Sequence, residues 1–266
     1  MAAQQPGRLT RAMGKVRGGM QGIRAAAGIV FVVAASIAMA WGLRQHVTTS
    51  PRFAVKTIRV DGTFRRTPEQ VAETAGLQVG MNVFTVDLEN ARRRLLQDPW
   101  IADAQVERKL PSVVTLQVTE NDAAAAVAVG ADLYLCTHEG EIFKRLEAGD
   151  PGELVVVTGL MPEHLSSNRG RAIERVRLAL RLLADYEQRG PSREYPAQEI
   201  HVAEDGSMRV AVGKAALTLE MGRAPYGKKV LRAARILSEV RRRSAEPSVL
   251  FLDNEAHPER VVVRMR

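Results

Sequence analysis

The chain of 266 residues is long enough for one or two globular domains. Hydrophobic residues make up 45% of it and charged residues 26%, a balance that excludes a disordered protein. A single cysteine, Cys136, excludes an internal disulfide framework and a zinc site built from several cysteines. The net charge of +8 raises the question of a nucleic-acid partner, and the answer depends on where the charge lies.

The excess positive charge is concentrated at the N-terminus. Residues 1–24 contain five arginines or lysines and no acidic residue. Without these five charges the net charge of the chain falls from +8 to +3. Because the rest of the chain is nearly balanced, the sequence disfavours nucleic-acid binding and indicates a local role for the basic tail.

A membrane span is predicted directly after this tail. Residues 25–43 carry no charge and are bounded by Arg24 and Arg44. A helix of this length spans roughly 28 Å at about 1.5 Å per residue, close to the thickness of the hydrocarbon core. The basic flank is N-terminal, so the positive-inside rule places residues 1–24 in the cytoplasm and the following residues outside it.

A cleaved signal peptide is the alternative for the same segment, because Ala38-Met39-Ala40 fits a cleavage pattern. The leader of 24 residues and the length of the apolar run favour an uncleaved anchor. We therefore expect a single-pass membrane protein, with a short polar linker over residues 44–52.

A small domain is predicted over residues 53–121. Thr67-Pro68-Glu69-Gln70 is a capping box that begins a helix, and Asp87 is a good N-cap for a second one. Alternating apolar residues indicate three strands, at about 53–60, 102–107 and 114–119. The order β-α-α-β-β lets two helices cover one face of a three-stranded sheet.

The remaining residues, 122–266, have a mixed pattern. Two helices are predicted, at about 170–188 and 226–243, because apolar residues recur there at helical spacing. Short alternating runs predict the strands of this part, at 124–129, 133–136, 141–143, 154–157, 199–203, 208–212, 217–220, 249–252 and 260–264. The predicted fold class is α+β, with a mixed and mainly antiparallel sheet in this C-terminal domain.

Three stretches carry a resemblance to a known family. They are IRVDG at 58–62, GMNVFTVD at 80–87 and DPWIADAQVERKLPSVVTLQVTE at 98–120. The last run, with Pro99-Trp100-Ile101, Arg108, Pro111 and Glu120, resembles the POTRA domain of the FtsQ/DivIB family of cell-division proteins. The resemblance is specific to about residue 160, and the short C-terminus is more similar to the FtsQ branch than to the DivIB branch.

The resemblance implies a non-enzymatic scaffold of the division machinery. Members of the family sit in the inner membrane by one span, with a cytoplasmic N-terminus and a periplasmic C-terminus, and are expected at the division septum. They bind the single-span division proteins FtsB and FtsL through the C-terminal strand region. One departure is that the family's acidic-Leu-Arg run appears here as Leu252-Asp253-Asn254, so a contact made by that arginine cannot be carried over.

No catalytic or cofactor-binding constellation is evident in the sequence. The histidines lack metal-ligand spacing, and no serine lies in a G-x-S-x-G elbow. The run Gly222–Lys229 resembles a phosphate-binding loop, but Lys229 stands where Ser or Thr is needed. We expect no cofactor, no metal and no small-molecule substrate, and we interpret Cys136 as a core residue. Arg108 is interpreted as a solvated charge, with a partner contact as the alternative.

Two other functions stay open as alternatives. A membrane-anchored exported hydrolase would need a nucleophile and a base that the sequence does not reveal. Another POTRA-type envelope assembly factor, if it belonged to the outer membrane, would need a lipid-facing barrel, and residues 122–266 are too few and too helical for one.

The final strand is the candidate partner-binding site, comprising Arg260, Val261, Val262, Val263 and Arg264. If one edge of this strand is free, its backbone can pair with an extended segment of another protein. Val261 and Val263 should face one side of the sheet and Val262 the other. An ordinary edge strand protected by its arginines is the alternative. Which residues point their backbone groups outward cannot be read from the sequence.

Overall fold

The computed structural model describes residues 9–254, 257 and 260–265. The beginning of the basic tail, including Arg8, lies outside the described residues. The chain divides into two compact units, one formed by residues 1–95 with 104–118 and the other by residues 96–103 with 119–266.

The first helix, α1, runs without interruption from Leu9 to Thr49. It contains a segment of sufficient length and hydropathy to cross a membrane, Gly28–Thr49, with a mean hydropathy of 1.5. The helix therefore continues through residues 44–49, which the sequence assigned to a linker. Nothing in that stretch breaks a helix before Ser50, whose conformation is restricted by the following proline. A single 3-10 turn, Pro51–Phe53, follows.

The predicted β-α-α-β-β order is confirmed in the POTRA region. Its elements are β1 (Thr57–Asp61), α2 (Pro68–Thr74), α3 (Leu88–Leu95), β2 (Ile101–Lys109) and β3 (Val113–Glu120). The three strands lie in the order β1-β3-β2, with β1 parallel to β3. Two details differ from the prediction, since β1 begins at Thr57 rather than near Phe53 and α3 ends at Leu95, before Pro99.

Local sequence explains where the two helices begin. The Thr67 hydroxyl accepts from the Gln70 amide at 3.3 Å, and the Gln70 side chain accepts from the Thr67 amide at 3.0 Å. This reciprocal pair is the predicted capping box. The Asp87 carboxylate accepts from the Asn90 amide at 3.0 Å and caps α3 in the same way.

The second unit contains a large mixed sheet. Within the described residues nine strands lie in the order β12-β11-β10-β9-β8-β7-β4-β5-β6. Five of the eight neighbouring pairs are antiparallel, which confirms the predicted mainly antiparallel sheet. The strands are β4 (Ala125–Val129), β5 (Asp132–Cys136), β6 (Ile142–Arg145), β7 (Val156–Leu160), β8 (Ala197–Val202), β9 (Met208–Val212), β10 (Leu217–Gly222), β11 (Pro247–Phe251) and β12 (Val262–Met265).

Helices pack on one face of this sheet. The two predicted helices are α5 (Arg169–Arg189) and α6 (Gly227–Arg242), and a short helix that the sequence did not predict, α4 (Pro162–Ser167), precedes them. Buried residues of α5 and α6 belong to one hydrophobic core with the inward side chains of the strands. Because successive strand residues alternate between faces, the other side chains of β7 to β12 form the opposite face.

Candidate partner-binding edge

β12 forms one edge of the nine-stranded sheet. Among the described strands its neighbour is β11, to which it pairs antiparallel. Opposite residues are Phe251 and Val262, Leu250 and Val263, and Val249 and Arg264. The strand begins two residues later than predicted, because the Arg260 amide donates to the carbonyl of His257 at 2.9 Å in a turn.

The pairing of β11 determines which backbone groups of β12 point outward. The Leu252 amide donates to the Glu220 carbonyl at 2.9 Å, so Leu252, and Leu250 two residues before it, direct their backbone groups at β10. The intervening Phe251 directs its own groups at β12. In an antiparallel ladder, bonded and unbonded pairs alternate. Val262, opposite Phe251, is therefore bonded to β11, whereas Val263 points its N–H and C=O away from the sheet.

The same argument extends along the strand in steps of two. Val261 and Met265 share the outward orientation of Val263, and Arg264 shares the inward orientation of Val262. In agreement, the Arg264 carbonyl accepts from the Ser248 hydroxyl of the β11 strand at 3.1 Å. The chain therefore presents alternate backbone donors and acceptors along an edge that no other described strand pairs with.

The side chains of β12 divide as the sequence predicted. Val261 and Val263 are half-buried against the core on the helix-covered face, whereas Val262 on the opposite face is 61% exposed. The guanidinium of Arg264 lies 5.7 Å from the centroid of the Phe251 ring, so it covers the aromatic ring of the neighbouring strand.

Val262 ends a row of side chains that crosses the uncovered face of six strands. The register of the strands places its members directly opposite one another, in the order Val262, Phe251, Glu220, Arg209, His201 and Thr158. At the far end, the Thr158 hydroxyl donates to the Glu199 carboxylate at 2.6 Å and lies 2.9 Å from Nδ1 of His201. An added strand at β12 would extend this row by one side chain.

The opposite edge of the sheet, β6, is bordered by ion pairs. Lys144 bonds the Asp150 carboxylate at 2.6 Å, and the side chains of both residues are largely buried. Arg145 bonds Asp132 of β5 at 2.5 Å. Charged groups held in this way protect an edge against pairing with another chain. On β12, the side chains are instead two valines, one arginine and one methionine.

Other residues singled out in the sequence have structural roles. Trp100 is 5% exposed and packs edge-to-face on Phe143, with ring centroids 5.3 Å apart. Arg108 is exposed, and its guanidinium also donates to the carbonyl of Val86. Lys229, in the loop resembling a phosphate site, donates to the carbonyls of Met221 and Arg223 at 2.8 and 2.7 Å.

Two observations bear on metal binding and thiol chemistry in the described part of the chain. It contains no group of three His, Cys, Asp or Glu side chains that could hold a metal ion. The thiol of Cys136 is fully buried, and its burial raises its pKa from 9.0 to about 11. Sequence reasoning thus located Cys136 correctly as a core residue. The outward parity of Val261 and Val263, by contrast, needed the strand register.

Comparison with known proteins identifies the family. Residues 53–121 match the family model described as a POTRA domain of FtsQ type. A cell division protein FtsQ from Myxococcus fulvus is 31% identical over 231 residues, which cover 85% of this chain and 80% of the relative. The FtsQ protein of an Anaeromyxobacter species, strain K, is 32% identical over 211 residues, covering 79% and 71%. A DivIB protein from Clostridium tetani is 24% identical over 110 residues, covering 41% and 42%. This single-pass membrane chain, with its POTRA domain and mixed C-terminal sheet, therefore belongs to the FtsQ family of bacterial cell-division proteins.

Proposed function

We propose that this protein is a non-enzymatic scaffold of the division machinery that binds FtsB- and FtsL-type single-span proteins by strand addition to β12. The free edge of β12, with outward backbone groups at Val261 and Val263, is the observation that carries the proposal. An extended segment beside this edge would complete hydrogen bonds that β11 cannot supply.

Side chains supply specificity to such a pairing. On the uncovered face, an incoming strand would place apolar groups beside Val262, which is 61% exposed, and acidic groups beside Arg264. On the helix-covered face, Val261 and Val263 offer a partly buried apolar surface that continues the core. The preferred partner strand is thus apolar opposite Val261–Val263, with an acidic residue opposite Arg264.

The charge on either side of the anchor supports a position of this edge in the envelope. A span in α1 with five basic residues before it favours residues 1–24 in the cytoplasm, α1 in the inner membrane and the residues after α1 in the periplasm. A scaffold that joins single-span partners at the septum needs this arrangement, because those partners present their extended segments on the same side of the membrane.

The test combines localisation with partner recovery in the native host. A fluorescent protein fused before residue 1 should concentrate at midcell, and the full-length chain should co-purify with the host's FtsB- and FtsL-type proteins. A reporter active only in the periplasm should work when fused after Arg52. Uniform envelope fluorescence without recovery of either partner would refute the proposal.

A further inference from the structure

A second surface lies within the first unit, where the loop between α2 and α3 meets the end of α1. We define the proximal loop as residues 78–85, between α2 and α3. The Asn82 side-chain amide donates to the carbonyl of Val47, in the last turn of α1, at 2.9 Å. The proximal loop is therefore attached directly to the membrane helix.

Backbone bonds fix the same loop to the chain that leaves the helix. The Val55 amide donates to the Met81 carbonyl at 2.7 Å, and the Gly80 amide donates to the Val55 carbonyl at 2.8 Å. The Val83 amide donates to the Phe53 carbonyl at 2.8 Å. With these bonds on both sides of Asn82, the proximal loop has one position relative to the end of α1.

Apolar side chains of the proximal loop project away from the domain core. Val83 is fully buried, but Val79 is 67% exposed, and Met81 and Phe84 are each 38% exposed. The Phe84 ring packs edge-to-face on Phe53, with centroids 5.1 Å apart. A cluster of large exposed apolar side chains on a soluble domain marks an interaction surface.

The position of the attachment point identifies what this surface meets. The uncharged part of the span ends at Leu43, and Val47 lies four residues later. At about 1.5 Å per residue, Val47 is roughly 6 Å beyond the hydrocarbon core. The headgroup region on each side of a bilayer is about 5–8 Å thick. The proximal loop thus lies at the depth of the lipid headgroups.

The charge of the neighbouring chain matches an anionic lipid surface. Residues 44–60 contain four exposed arginines or lysines and no acidic residue, namely Arg44, Arg52, Lys56 and Arg59. The proximal loop itself carries no charge. Apolar side chains flanked by cations are the combination that binds the interface of a membrane containing anionic phospholipid.

We propose that the proximal loop and the adjacent cations form a lipid-binding surface, which inserts Val79, Met81 and Phe84 among the headgroups of the leaflet where α1 ends. These lipid contacts supplement the membrane attachment that α1 provides, and they restrain the orientation of the POTRA domain above the membrane. The proposal rests on the span and the loop alone, and it is independent of partner binding at β12.

Site-specific fluorescence on the full chain in lipid nanodiscs tests this contact. Val79→Cys carries an environment-sensitive label, and Phe64→Cys is the matched control, because Val79 and Phe64 are 67% and 68% exposed. Phe64 follows β1, at the end of that strand remote from Val55. The natural Cys136 is fully buried and does not compete for the label.

Lipids that carry a quencher near the headgroup should quench the label at residue 79 at least about twice as strongly as the label at residue 64. The difference should shrink when anionic phosphatidylglycerol is replaced by neutral phosphatidylcholine, and also in Arg52→Gln/Lys56→Gln chains. Equal quenching at residues 79 and 64 would overturn the proposal. If quenching at residue 79 changes neither with lipid charge nor with the Arg52→Gln/Lys56→Gln substitutions, the role of the cations would be overturned.

Discussion

Proline substitution can separate the two sets of backbone groups in β12. Proline lacks an N–H, so Val262→Pro removes a donor that bonds β11, whereas Val263→Pro removes a donor that points away from the sheet. The two residues are adjacent and carry the same side chain. They therefore form a matched pair that differs in the direction of the lost hydrogen bond and in the burial of the side chain.

The expected magnitudes follow from this geometry. Val262→Pro loses one ladder hydrogen bond, worth about 0.5–1.5 kcal/mol, and the ring also crowds β11. Because the Val262 side chain is 61% exposed, little packing energy is lost with it. Val263→Pro keeps the hydrogen bonds between β12 and β11, but it should lower the affinity for an FtsB-type partner at least about fivefold, equivalent to roughly 1 kcal/mol.

Hydrogen exchange and affinity measurements on the full chain distinguish the two effects. Val262→Pro should lower amide protection in β11 and β12, whereas Val263→Pro should leave β11 protected and reduce partner binding. Val263→Ala is the control for the half-buried side chain, and it should bind more tightly than Val263→Pro. Wild-type affinity in a folded Val263→Pro chain would refute strand addition at this edge.

Two further predictions concern buried groups of the described chain. The Thr115 hydroxyl is buried and has no hydrogen-bond partner among the described residues. Thr115→Val should therefore raise the free energy of unfolding of the POTRA sheet by about 1 kcal/mol, measured by hydrogen exchange of the β1 and β3 amides. The control Thr115→Ser keeps the hydroxyl and should not raise it. A Thr115→Val chain less stable than the wild type would contradict this reasoning. The Cys136 thiol should resist alkylation at pH 8 until the protein is unfolded. Rapid alkylation of the folded protein would contradict this expectation. Burial raises the pKa of the thiol from 9.0 to about 11, so the contribution of the protonated thiol to stability is complete below pH 9 and is lost as the pH rises through 11.

Local signals in the sequence were sufficient where a short stretch determines its own structure. The capping box predicted the start of α2, and strict alternation predicted β9 with the observed bounds, Met208–Val212. The polar composition of residues 44–49 suggested a linker, yet the helix continues because no proline interrupts it before Pro51. The six-residue α4 was missed because a helix of fewer than two turns has too few apolar positions to show a period.

The candidate partner-binding edge was predictable only in part, because it depends on backbone orientation rather than on side chains. The sequence located the last strand and the strand before it, but the outward parity depends on the parallel pairing of β11 with β10. The motif residues that carry the family resemblance, Trp100 and Arg108 among them, are occupied in packing and internal hydrogen bonds. The strand addition proposed for β12 would need only side chains that tolerate an edge, so it predicts no chemical signature at Val261–Val263. The missing arginine at Leu252-Asp253-Asn254 is compatible with this mode, because the main-chain contacts of β12 do not require it.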